Sequence, residues 1–415
     1  AASDVYKRQD GGLTWELKGL EETQVIARIV VHPTNPDRVW VAALGHIWDS
    51  NPERGLYRTD DGGDSWELVK FVSEKAGFVD LAIHPDNPNV LFASSWERVR
   101  GPYFLQSGGP GSALWKTADG GDTWTKVEGP GWPTGNFGRI GIAISRSDPE
   151  IMYANVEAEK YEGDPAPNGL YRSNDSGMSW EKMNNVNSRP FYYSQVRVHP
   201  KNPDRVYWST VNVSNDGGRT AGNATQGLHV DHHAMWMDPN DPDRMIVGND
   251  GGIGITFDQG GNYIFPNTMG LGQFYEVSFG MELPYTVCGG LQDNGSWCGP
   301  SRRRQGPVTN AMWASVGGGD GFFTLQDPSQ PEIVYSESQG GSMGRRNTIT
   351  GESMSFQKPG GRGGPTTGDE GWRWNWNTPL VMSPHDPTVI YAAGNRVLKY
   401  TDRGENYEVI SDDLT

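Results

Sequence analysis

Long apolar runs, positive charge and cysteine are all scarce in this sequence. No apolar run reaches the roughly 18 residues that a membrane-spanning helix needs. Lys and Arg number 35 against 51 Asp and Glu, so the formal net charge is −16. Because the nucleic-acid backbone is also negative, this charge argues against a nucleic-acid partner. It leaves sugars, peptides and cations open as partners.

The two cysteines, Cys288 and Cys298, flank the Gly- and Asn-rich stretch GGLQDNGSW. A hairpin at such a turn would bring them together as a disulfide, which would indicate an oxidising compartment. Two unpaired thiols are the alternative, and the spacing does not decide between them.

Turn-forming and aromatic residues are plentiful: the 415 residues include 56 Gly, 28 Pro, 16 Trp and 16 Tyr. Such a composition favours many turns and strands. The opening AASDVYKRQ leads directly into part of a repeated motif. We therefore interpret residues 1–9 as a non-native or junction segment. We interpret residues 10–415 as repeats from a longer protein, truncated at both ends.

A short acidic motif, Ser/Thr-x-Asp-x-Gly-x-x-Trp, recurs along the chain, and we call it the octet. A partial copy surrounds Asp10, and weaker copies centre on Asp216, Asp258 and Asp402. The full copies place their four defining residues at Thr59, Asp61, Gly63 and Trp66, at Thr117, Asp119, Gly121 and Trp124, and at Ser173, Asp175, Gly177 and Trp180.

A second repeat alternates with the octet and consists of two short apolar runs joined by a Pro/Asp/Asn turn, as in RIVVHPTNPDRVWVAA. Together the two repeats predict strand, Pro-Asp turn, strand, loop, strand, octet turn and strand. This unit is a four-stranded antiparallel meander of about 40–60 residues, and its radial repetition makes a β-propeller. We expect an all-β fold with about eight such blades; the number of blades per ring stays open.

The octet resembles the Asp-box, or bacterial neuraminidase repeat. The stretches SGGPGSALWKTADGGDTW, HVDHHAMWMDP, QDNGSWCGPS and SPHDPTVIYAAGNRV also resemble bacterial glycosyl hydrolase-like propellers with a sortilin N-terminal domain. This resemblance covers about residues 10–415 and implies a propeller in a secreted or periplasmic protein. The blade pattern is also similar to that of xyloglucan-cleaving propellers, whose cleft lies between two rings.

The chemistry of the octet favours a structural role. Asp61 can accept backbone N–H groups of its own turn, and Gly63 permits a backbone conformation that a Cβ would penalise. Trp66 begins the last strand and can bury its ring. A ring of calcium-binding or catalytic carboxylates is the alternative, but it would require these turns to cluster, and separate blades hold them apart.

Blade connectivity predicts where a functional site lies. The Pro-Asp turn and the octet turn both lie on one face. The loops before the first strand and after the second strand share the other, which we call the site face. Ligands bind in concavities, and loops carry function. From this face we name ligand-binding candidates, which are His46, Trp48, Trp96, Arg98, Arg139, His229, His232, His233, Asn249, Gln292 and Asn294.

Hydrolysis of a glycosidic bond needs two carboxyl groups, about 5–5.5 Å apart for retention or 6.5–9.5 Å for inversion of configuration. The catalytic candidates on the site face are Asp80, Asp231, Asp250, Asp293 and Asp320, with Glu97 and Glu157 as further options. The sequence does not determine which pair converges. No Arg-Ile-Pro motif accompanies them, so the protein is not expected to be a sialidase.

The stretch HVDHH is the densest group of metal-ligating residue types. On a strand, His229, Asp231 and His233 would share one side and His232 the other. Such a set could bind a divalent metal ion. Structural hydrogen bonding of these side chains is the alternative, and we expect no cofactor.

Two functions are consistent with these features. The first is a secreted or periplasmic propeller that binds a peptide or glycan at its channel face without catalysis, as the sortilin resemblance implies. The alternative is a glycoside hydrolase that acts on a polysaccharide through paired carboxylates of that face. Further domains of the full-length protein are expected partners in either case.

Overall fold

A computed structural model describes residues 5–101, 104–160, 164, 166–209, 212–266, 271–360 and 371–415. The chain divides into two compact units, Ala1–Pro266 (unit 1) and Asn267–Thr415 (unit 2). Residues 1–4 of the segment that we interpret as a junction lie outside the described residues. Nowhere in the described ranges is a helix long and apolar enough to cross a membrane.

Unit 1 begins with a strand pair and continues with five sheets among its described residues. Its strands are β1 (Tyr6–Lys7) and β2 (Glu16–Leu17); β3 (Ile26–Val31), β4 (Val39–Ala43), β5 (Gly55–Thr59) and β6 (Glu67–Lys70); β7 (Ala76–Ile83), β8 (Leu91–Arg100), β9 (Leu105–Ser107), β10 (Ala113–Thr117) and β11 (Thr125–Lys126); β12 (Phe137–Ile144), β13 (Met152–Ala158), β14 (Gly169–Ser173) and β15 (Glu181–Asn184); β16 (Val196–His199), β17 (Asn202–Trp208), β18 (Asn212–Ser214) and β19 (Gly222–Asn223); and β20 (His232–Met237), β21 (Met245–Asn249) and β22 (Gly252–Thr256). A 3₁₀ turn at Glu21–Thr23 and a short helix, α1 (Pro190–Tyr193), precede β3 and β16.

Unit 2 contains three four-stranded sheets among its described residues. They are β23 (Phe274–Phe279), β24 (Thr286–Leu291), β25 (Gly295–Pro300) and β26 (Ala314–Gly317); β27 (Gly321–Gln326), β28 (Ile333–Ser338), β29 (Ser342–Asn347) and β30 (Ser353–Ser355); and β31 (Leu380–Met382), β32 (Ile390–Ala393), β33 (Val397–Thr401) and β34 (Asn406–Val409). Two 3₁₀ turns lie at Asn310–Met312 and Asp402–Gly404.

Every sheet is antiparallel, and its strands pair in chain order, except that β10 of the second sheet pairs with β8 rather than with β9. In unit 1 the first strand of a sheet also contacts the first strand of the next sheet, from β3 through β7 and β12 to β16. In unit 2 the first strands β23, β27 and β31 do the same. Consecutive sheets therefore adjoin along their first strands, as blades do around an axis. The predicted all-β propeller of four-stranded antiparallel blades is confirmed.

Two sheets of unit 1 depart from the regular four strands. The second blade carries an additional strand, β9, which pairs with the extended β8. The fifth blade has three strands, and a single bridge between Ile255 and Ile264 occupies the place of a fourth strand.

The apolar core lies between consecutive sheets. Between the first two blades, Trp40, Leu56, Phe78 and Leu81 pack together, and each is at most 1% exposed. The Trp40 indole N–H donates to the Gly120 carbonyl oxygen at 3.1 Å, so this buried ring has a polar partner. The central strands are buried at most positions, as expected for strands that pack against a neighbouring sheet on both faces.

The octet closes its turn with a fixed set of hydrogen bonds. The Thr59 hydroxyl is buried, donates to Asp61 Oδ1 at 2.6 Å and accepts the Gly63 N–H at 3.0 Å. The backbone N–H and the hydroxyl of Ser65 donate to Asp61 at 2.9 and 2.6 Å. These bonds hold the pKa of Asp61 well below its usual range, and Gly63 has the positive φ that favours glycine. The Asp61 carboxylate is therefore hydrogen-bonded within its own turn and has a structural role.

The octet turn also binds the Pro-Asp turn of its own blade. The Gly62 N–H donates to the Asp37 carbonyl oxygen at 2.8 Å, and the Gly120 N–H donates to that of Asn89 at 2.9 Å. Octet turns and Pro-Asp turns therefore share one face of the blade.

The basic residue before the octet connects one blade to the next. Arg58 donates to the Gly120 carbonyl oxygen at 3.1 Å and to Asp122 at 2.6 Å. Lys116 reaches the Ser176 carbonyl oxygen at 3.1 Å in the following blade. The octet face is thus tied both within blades and between consecutive blades.

In unit 2 the two cysteines lie opposite each other on neighbouring strands. Cys288 of β24 pairs in register with Cys298 of β25, and their sulfur atoms form a disulfide. Both residues are buried against Val316 and Val334. The bridge therefore lies inside a sheet and its core rather than on an exposed loop.

Candidate functional site

A cavity of about 390 Å³ lies among the first strands of the unit 1 blades. We call it the lumen cavity. Its wall combines apolar residues with several charged ones and comprises Ala27, Arg28, Val79, Asp80, Arg139, Ile140, Ser194, Gln195, Arg197, His233, Ala234, Met235, Trp236, Ile246, Gly248 and Ile253. Its volume falls in the range of small-molecule sites.

Bulges in the first strands position several of these charged side chains. In four blades the pairing register shifts near the start of the first strand. Arg28, Asp80, Arg139 and His233 all lie at or beside these shifts. A bulge bends a strand and turns a side chain away from regular alternation. The repeated shift therefore directs side chains of different blades towards one cavity.

Asp80 is the acidic residue of the lumen cavity. Its carboxylate accepts the N–H groups of Leu81 and Ile142 at 2.9 and 3.1 Å. The Nε atom of Arg28 lies 3.7 Å from Asp80 Oδ1. Backbone groups and a guanidinium thus already share this carboxylate.

Arg139 and Arg197 bring two more guanidinium groups to the cavity. Arg139 Nη1 donates to the carbonyl oxygens of Phe191 and Tyr192 at 3.3 and 2.7 Å. Burial lowers the pKa of Arg139, and burial together with the charges of Arg28 and Arg139 lowers the pKa of Arg197 to about 10. Both side chains are still cations at neutral pH.

Trp96 and Arg98 lie deeper than a ligand-contacting role requires. The Trp96 ring is 2% exposed, with the guanidinium of Arg98 4.7 Å from its centroid and that of Arg139 5.6 Å away. Burial lowers the pKa of Arg98 to about 10. Glu157 accepts the Arg139 N–H at 2.8 Å, and burial raises its pKa. These groups support the bulge of the third blade.

Five side chains converge beside the lumen cavity, and we call them the carboxylate cluster: Arg189, Tyr192, Asp231, His233 and Asp250. One carboxylate oxygen of Asp231 lies within 4.8 Å of one of Asp250. His233 Nε2 lies 3.2 Å from Asp250 Oδ1, and the Tyr192 hydroxyl donates to Asp250 Oδ2 at 3.2 Å. Arg189 Nη1 lies 3.6 Å from Asp231 Oδ1.

The surrounding backbone explains this convergence. The short helix α1 presents Tyr192, whose ring meets that of His233 edge to face with centroids 4.6 Å apart. Asp231 has a positive φ of 61°, a conformation that Asp tolerates better than most residues. Burial lowers the pKa of His233, so its imidazole is neutral at pH 7.

The alternation expected along HVDHH holds only in part: Asp231 and His233 both belong to the carboxylate cluster and His232 does not, but His229 lies outside the cluster. The strand begins only at His232, and the left-handed backbone of Asp231 ends any regular alternation before it. His232 is buried, burial lowers its pKa to about 4, and its Nδ1 lies 3.3 Å from Asn249 Nδ2. His229 bonds the Val230 carbonyl oxygen through Nδ1 at 2.8 Å. The metal set of His229, Asp231 and His233 stays a hypothesis.

Two further candidates of unit 1, His46 and Trp48, lie on a loop after β4, whereas Glu97 is buried in β8. His46 Nε2 lies 2.9 Å from the Glu22 carbonyl oxygen. Trp48 is 60% exposed, and the Arg100 guanidinium lies 5.4 Å from its ring centroid. Neither residue lines the lumen cavity.

In unit 2 the candidates lie at the corresponding ends of their strands. The Asp293 N–H donates to Asp320 Oδ1 at 2.8 Å, and Asp320 is buried. The Gln292 N–H donates to the Gln273 carbonyl oxygen, while Asn294 Nδ2 donates to the Gln292 carbonyl oxygen. Asp293 also has a positive φ, 60°.

Sequence reasoning missed Arg197, Arg189 and Tyr192. Arg197 has a readable signal, because a charged residue interrupts the apolar run QVRVHP, two residues after Gln195, which occupies the position where ARIVV carries its arginine. Arg189 and Tyr192 belong to the connection before β16, and no local pattern indicates that it folds over the cavity.

Comparisons with known proteins agree with a β-propeller. The family model Sortilin-Vps10, described as "Sortilin, neurotensin receptor 3,", matches residues 3–164. A xyloglucanase of Paenibacillus sp is 28% identical over 188 residues, covering 42% of this chain and 17% of that protein. An oligoxyloglucan-reducing end-specific xyloglucanase of Emericella nidulans is 23% identical over 401 residues, covering 88% of this chain and 43% of the relative.

Among solved structures, the GH74 xyloglucanase from Xanthomonas campestris aligns with a TM-score of 0.40 and 15% identity. That alignment covers 99% of this chain and 68% of the other. The chain thus spans less than half the length of the curated relatives that it matches. A β-propeller family is supported, and the similarity to these relatives is distant.

Proposed function

We propose that this chain is part of a glycoside hydrolase that acts on a polysaccharide, with Asp231 and Asp250 as its carboxyl pair. The observation that carries this proposal is the approach of their carboxylate oxygens to within 4.8 Å beside a cavity. Retaining glycosidases hold their two carboxyl groups about 5–5.5 Å apart. The geometry therefore suits retention of configuration better than inversion, which needs room for a water molecule.

The neighbours of the two carboxylates fit two different roles. Arg189 places a positive charge 3.6 Å from Asp231, which suits a carboxylate that attacks the sugar carbon as a nucleophile. Asp250 contacts the Tyr192 hydroxyl and the neutral imidazole of His233, which can exchange a proton with it. We assign Asp231 as the nucleophile and Asp250 as the general acid and base.

The distribution of arginines also favours the hydrolase over the purely binding propeller. The enzyme hypothesis would fail if all the candidate carboxylates paired with Arg28, Arg98 or Arg139. Arg28 contacts Asp80, whereas Asp231 and Asp250 have other partners. The similarity to xyloglucanases points the same way, and it places xyloglucan on the panel of polysaccharides to test.

Such a polysaccharide lies outside the cell, so we propose an extracellular or periplasmic location. The Cys288–Cys298 disulfide is consistent with an oxidising compartment. We assign no metal or cofactor to the reaction, since the two carboxyl groups supply the acid, the base and the nucleophile. In this proposal the octet stabilises the blades and takes no part in the reaction.

The test is release of reducing sugar from xyloglucan and a panel of other polysaccharides by the full-length protein. Asp231→Asn and Asp250→Asn keep the side-chain shape and remove the ionisable group, so each should lower kcat by about a hundredfold or more. Asp241→Asn changes an exposed aspartate of the same blade outside the cluster and should leave kcat unchanged.

Two results would contradict this proposal. Full activity in both asparagine variants would show that another pair of carboxyl groups performs the reaction. Saturable glycan or peptide binding without turnover of any polysaccharide would instead support the non-catalytic binding propeller, the function with which the sortilin similarity agrees. Product stereochemistry adds a further check, because the close approach of the two carboxylates favours retention of configuration.

A further inference from the structure

The lumen cavity carries more positive than negative charge although the whole chain is strongly acidic. Three arginines and one aspartate line it, while the chain has a net charge of −16. His233 adds no positive charge at pH 7, because burial lowers its pKa. Overall composition therefore does not explain the charge of the cavity.

Asp80 is shared among more cations than it can neutralise. Arg28 lies 3.7 Å from it, and both Arg139 and Arg197 interact with its charge. The carboxylate also accepts two backbone N–H groups. Within the described residues that line the cavity, no second carboxylate is present. Mutual repulsion of the arginines therefore persists in a site partly shielded from water.

A guanidinium group offers five N–H donors in a planar fork that matches a carboxylate. Arg139 already uses one of its nitrogens on two backbone carbonyl oxygens, whereas Arg28 meets only the 3.7 Å contact with Asp80 among the described residues. Arg197 Nη1 donates to the Val196 carbonyl oxygen, and Arg197 Nη2 lies 3.4 Å from Gln195 Oε1. Arg28 and Arg197 are thus the arginines best placed to bind an anionic ligand in the cavity.

The rest of the wall suits a sugar ring. Trp236 is 47% exposed and lines the same cavity, so its ring can stack on a sugar. His233 belongs both to the cavity and to the carboxylate cluster through its 3.2 Å contact with Asp250. A sugar held in the cavity would therefore lie next to the two aspartates.

We propose that the lumen cavity binds the carboxylate of an acidic sugar, a uronic acid residue of the polysaccharide, through Arg28 and Arg197. The substrate class inferred here rests on the proposed glycoside hydrolase function. Arg139 shapes the site and adds charge, Trp236 stacks on the sugar ring, and Asp80 competes with the ligand for Arg28. The arginines thus select an acidic over a neutral glycan.

The test is equilibrium binding by calorimetry at low ionic strength with the full-length protein carrying Asp250→Asn, so that turnover does not interfere. The probes are trigalacturonate, its methyl ester and a peptide with a free C-terminal carboxylate. Trigalacturonate should bind at least about tenfold more tightly than its uncharged ester, because charge-assisted hydrogen bonds are lost in the ester. The affinity should also fall as salt rises.

Two arginine variants that should weaken binding, and one aspartate variant that should strengthen it, test the location of the site. Arg28→Gln and Arg197→Gln should each weaken trigalacturonate binding about tenfold or more, whereas Arg146→Gln, an exposed arginine elsewhere in unit 1, should not. Asp80→Asn removes the competing carboxylate and should strengthen binding about threefold or more. A variant that has merely misfolded cannot bind more tightly, so this result separates charge from structure.

Equal binding of trigalacturonate and its ester, or unchanged binding in both arginine variants, would overturn the proposal. Tight binding of the peptide without the sugars would overturn it in favour of a peptide receptor. These outcomes are distinct from failure of the proposed function. Hydrolysis of neutral polysaccharides alone would preserve the function and remove the uronate site, whereas uronate binding without any hydrolysis would do the reverse.

Discussion

Removal of the octet hydroxyl at Thr59 should measurably destabilise the protein. The Thr59 side chain is buried, and its hydroxyl accepts the Gly63 N–H while donating to Asp61. Thr59→Val keeps the shape but leaves that buried N–H without an acceptor, which costs about 1–3 kcal/mol. We expect the free energy of unfolding to fall by about 2 kcal/mol.

Urea denaturation followed by tryptophan fluorescence measures this change. With a urea dependence of about 2 kcal/mol per molar, the midpoint should move down by about 1 M. Thr59→Ser retains the hydroxyl and should recover most of the loss. Thr34→Val removes an exposed hydroxyl on the same face and should change the free energy by less than about 0.5 kcal/mol.

If Thr59→Val were as stable as the wild-type protein, the octet would not be the motif that stabilises the blade. Altered ligand specificity with unchanged stability would be equally damaging, because it would place the octet in a functional site. The hydrogen bonds recur at Thr117 and Ser173, so Thr117→Val provides an independent repetition of the experiment.

Two predictions concern pH. Hydrogen bonds within each octet lower the folded-state pKa of Asp175, Asp216 and Asp258 from an ordinary value of 3.8 to about 2. These carboxylates should therefore stabilise the folded protein fully above about pH 4, and this contribution should be lost as the pH falls towards 2. In Asp175→Asn the free energy of unfolding should depend less on pH over that range. Burial raises the pKa of Glu337 in unit 2 from 4.5 to about 8. The free energy of unfolding should therefore fall as the pH rises from 4.5 to 8. Glu337→Gln should remove this pH dependence and stabilise the protein at pH 8, and an unchanged pH dependence in the variant would contradict the raised pKa of Glu337.

The blade architecture could be predicted from the sequence because it repeats. Two interleaved patterns fix four strands per unit, and the octet turn is chemically self-contained, since Asp61 and Thr59 bond within their own turn. The location of Asp231 and Asp250 at the site face also follows from strand order. Local signals of this kind need no knowledge of distant residues.

Convergence of residues from different blades could not be predicted in the same way. The bulges that bring Arg28, Asp80 and Arg139 to one cavity depend on pairing between strands and have no clear sequence mark. The position of Tyr192 depends on how α1 folds over the cavity. His232 and Trp96 resemble binding residues in sequence but are buried, because burial is decided by packing.

The chain-order pairing of the strands has a consequence for how the protein forms. Apart from β10, which pairs with β8, the described strands pair with their neighbours in the chain, and contacts between blades, such as Arg58 with Asp122, join consecutive repeats. Hairpin contacts between strands that are adjacent in the chain close short loops and lose little entropy when they form. Contacts between blades join residues farther apart, such as Arg58 and Asp122 with a separation of 64, and they form more slowly. Each hairpin can therefore assemble soon after its residues leave the ribosome, and each new blade can add to an edge that already exists.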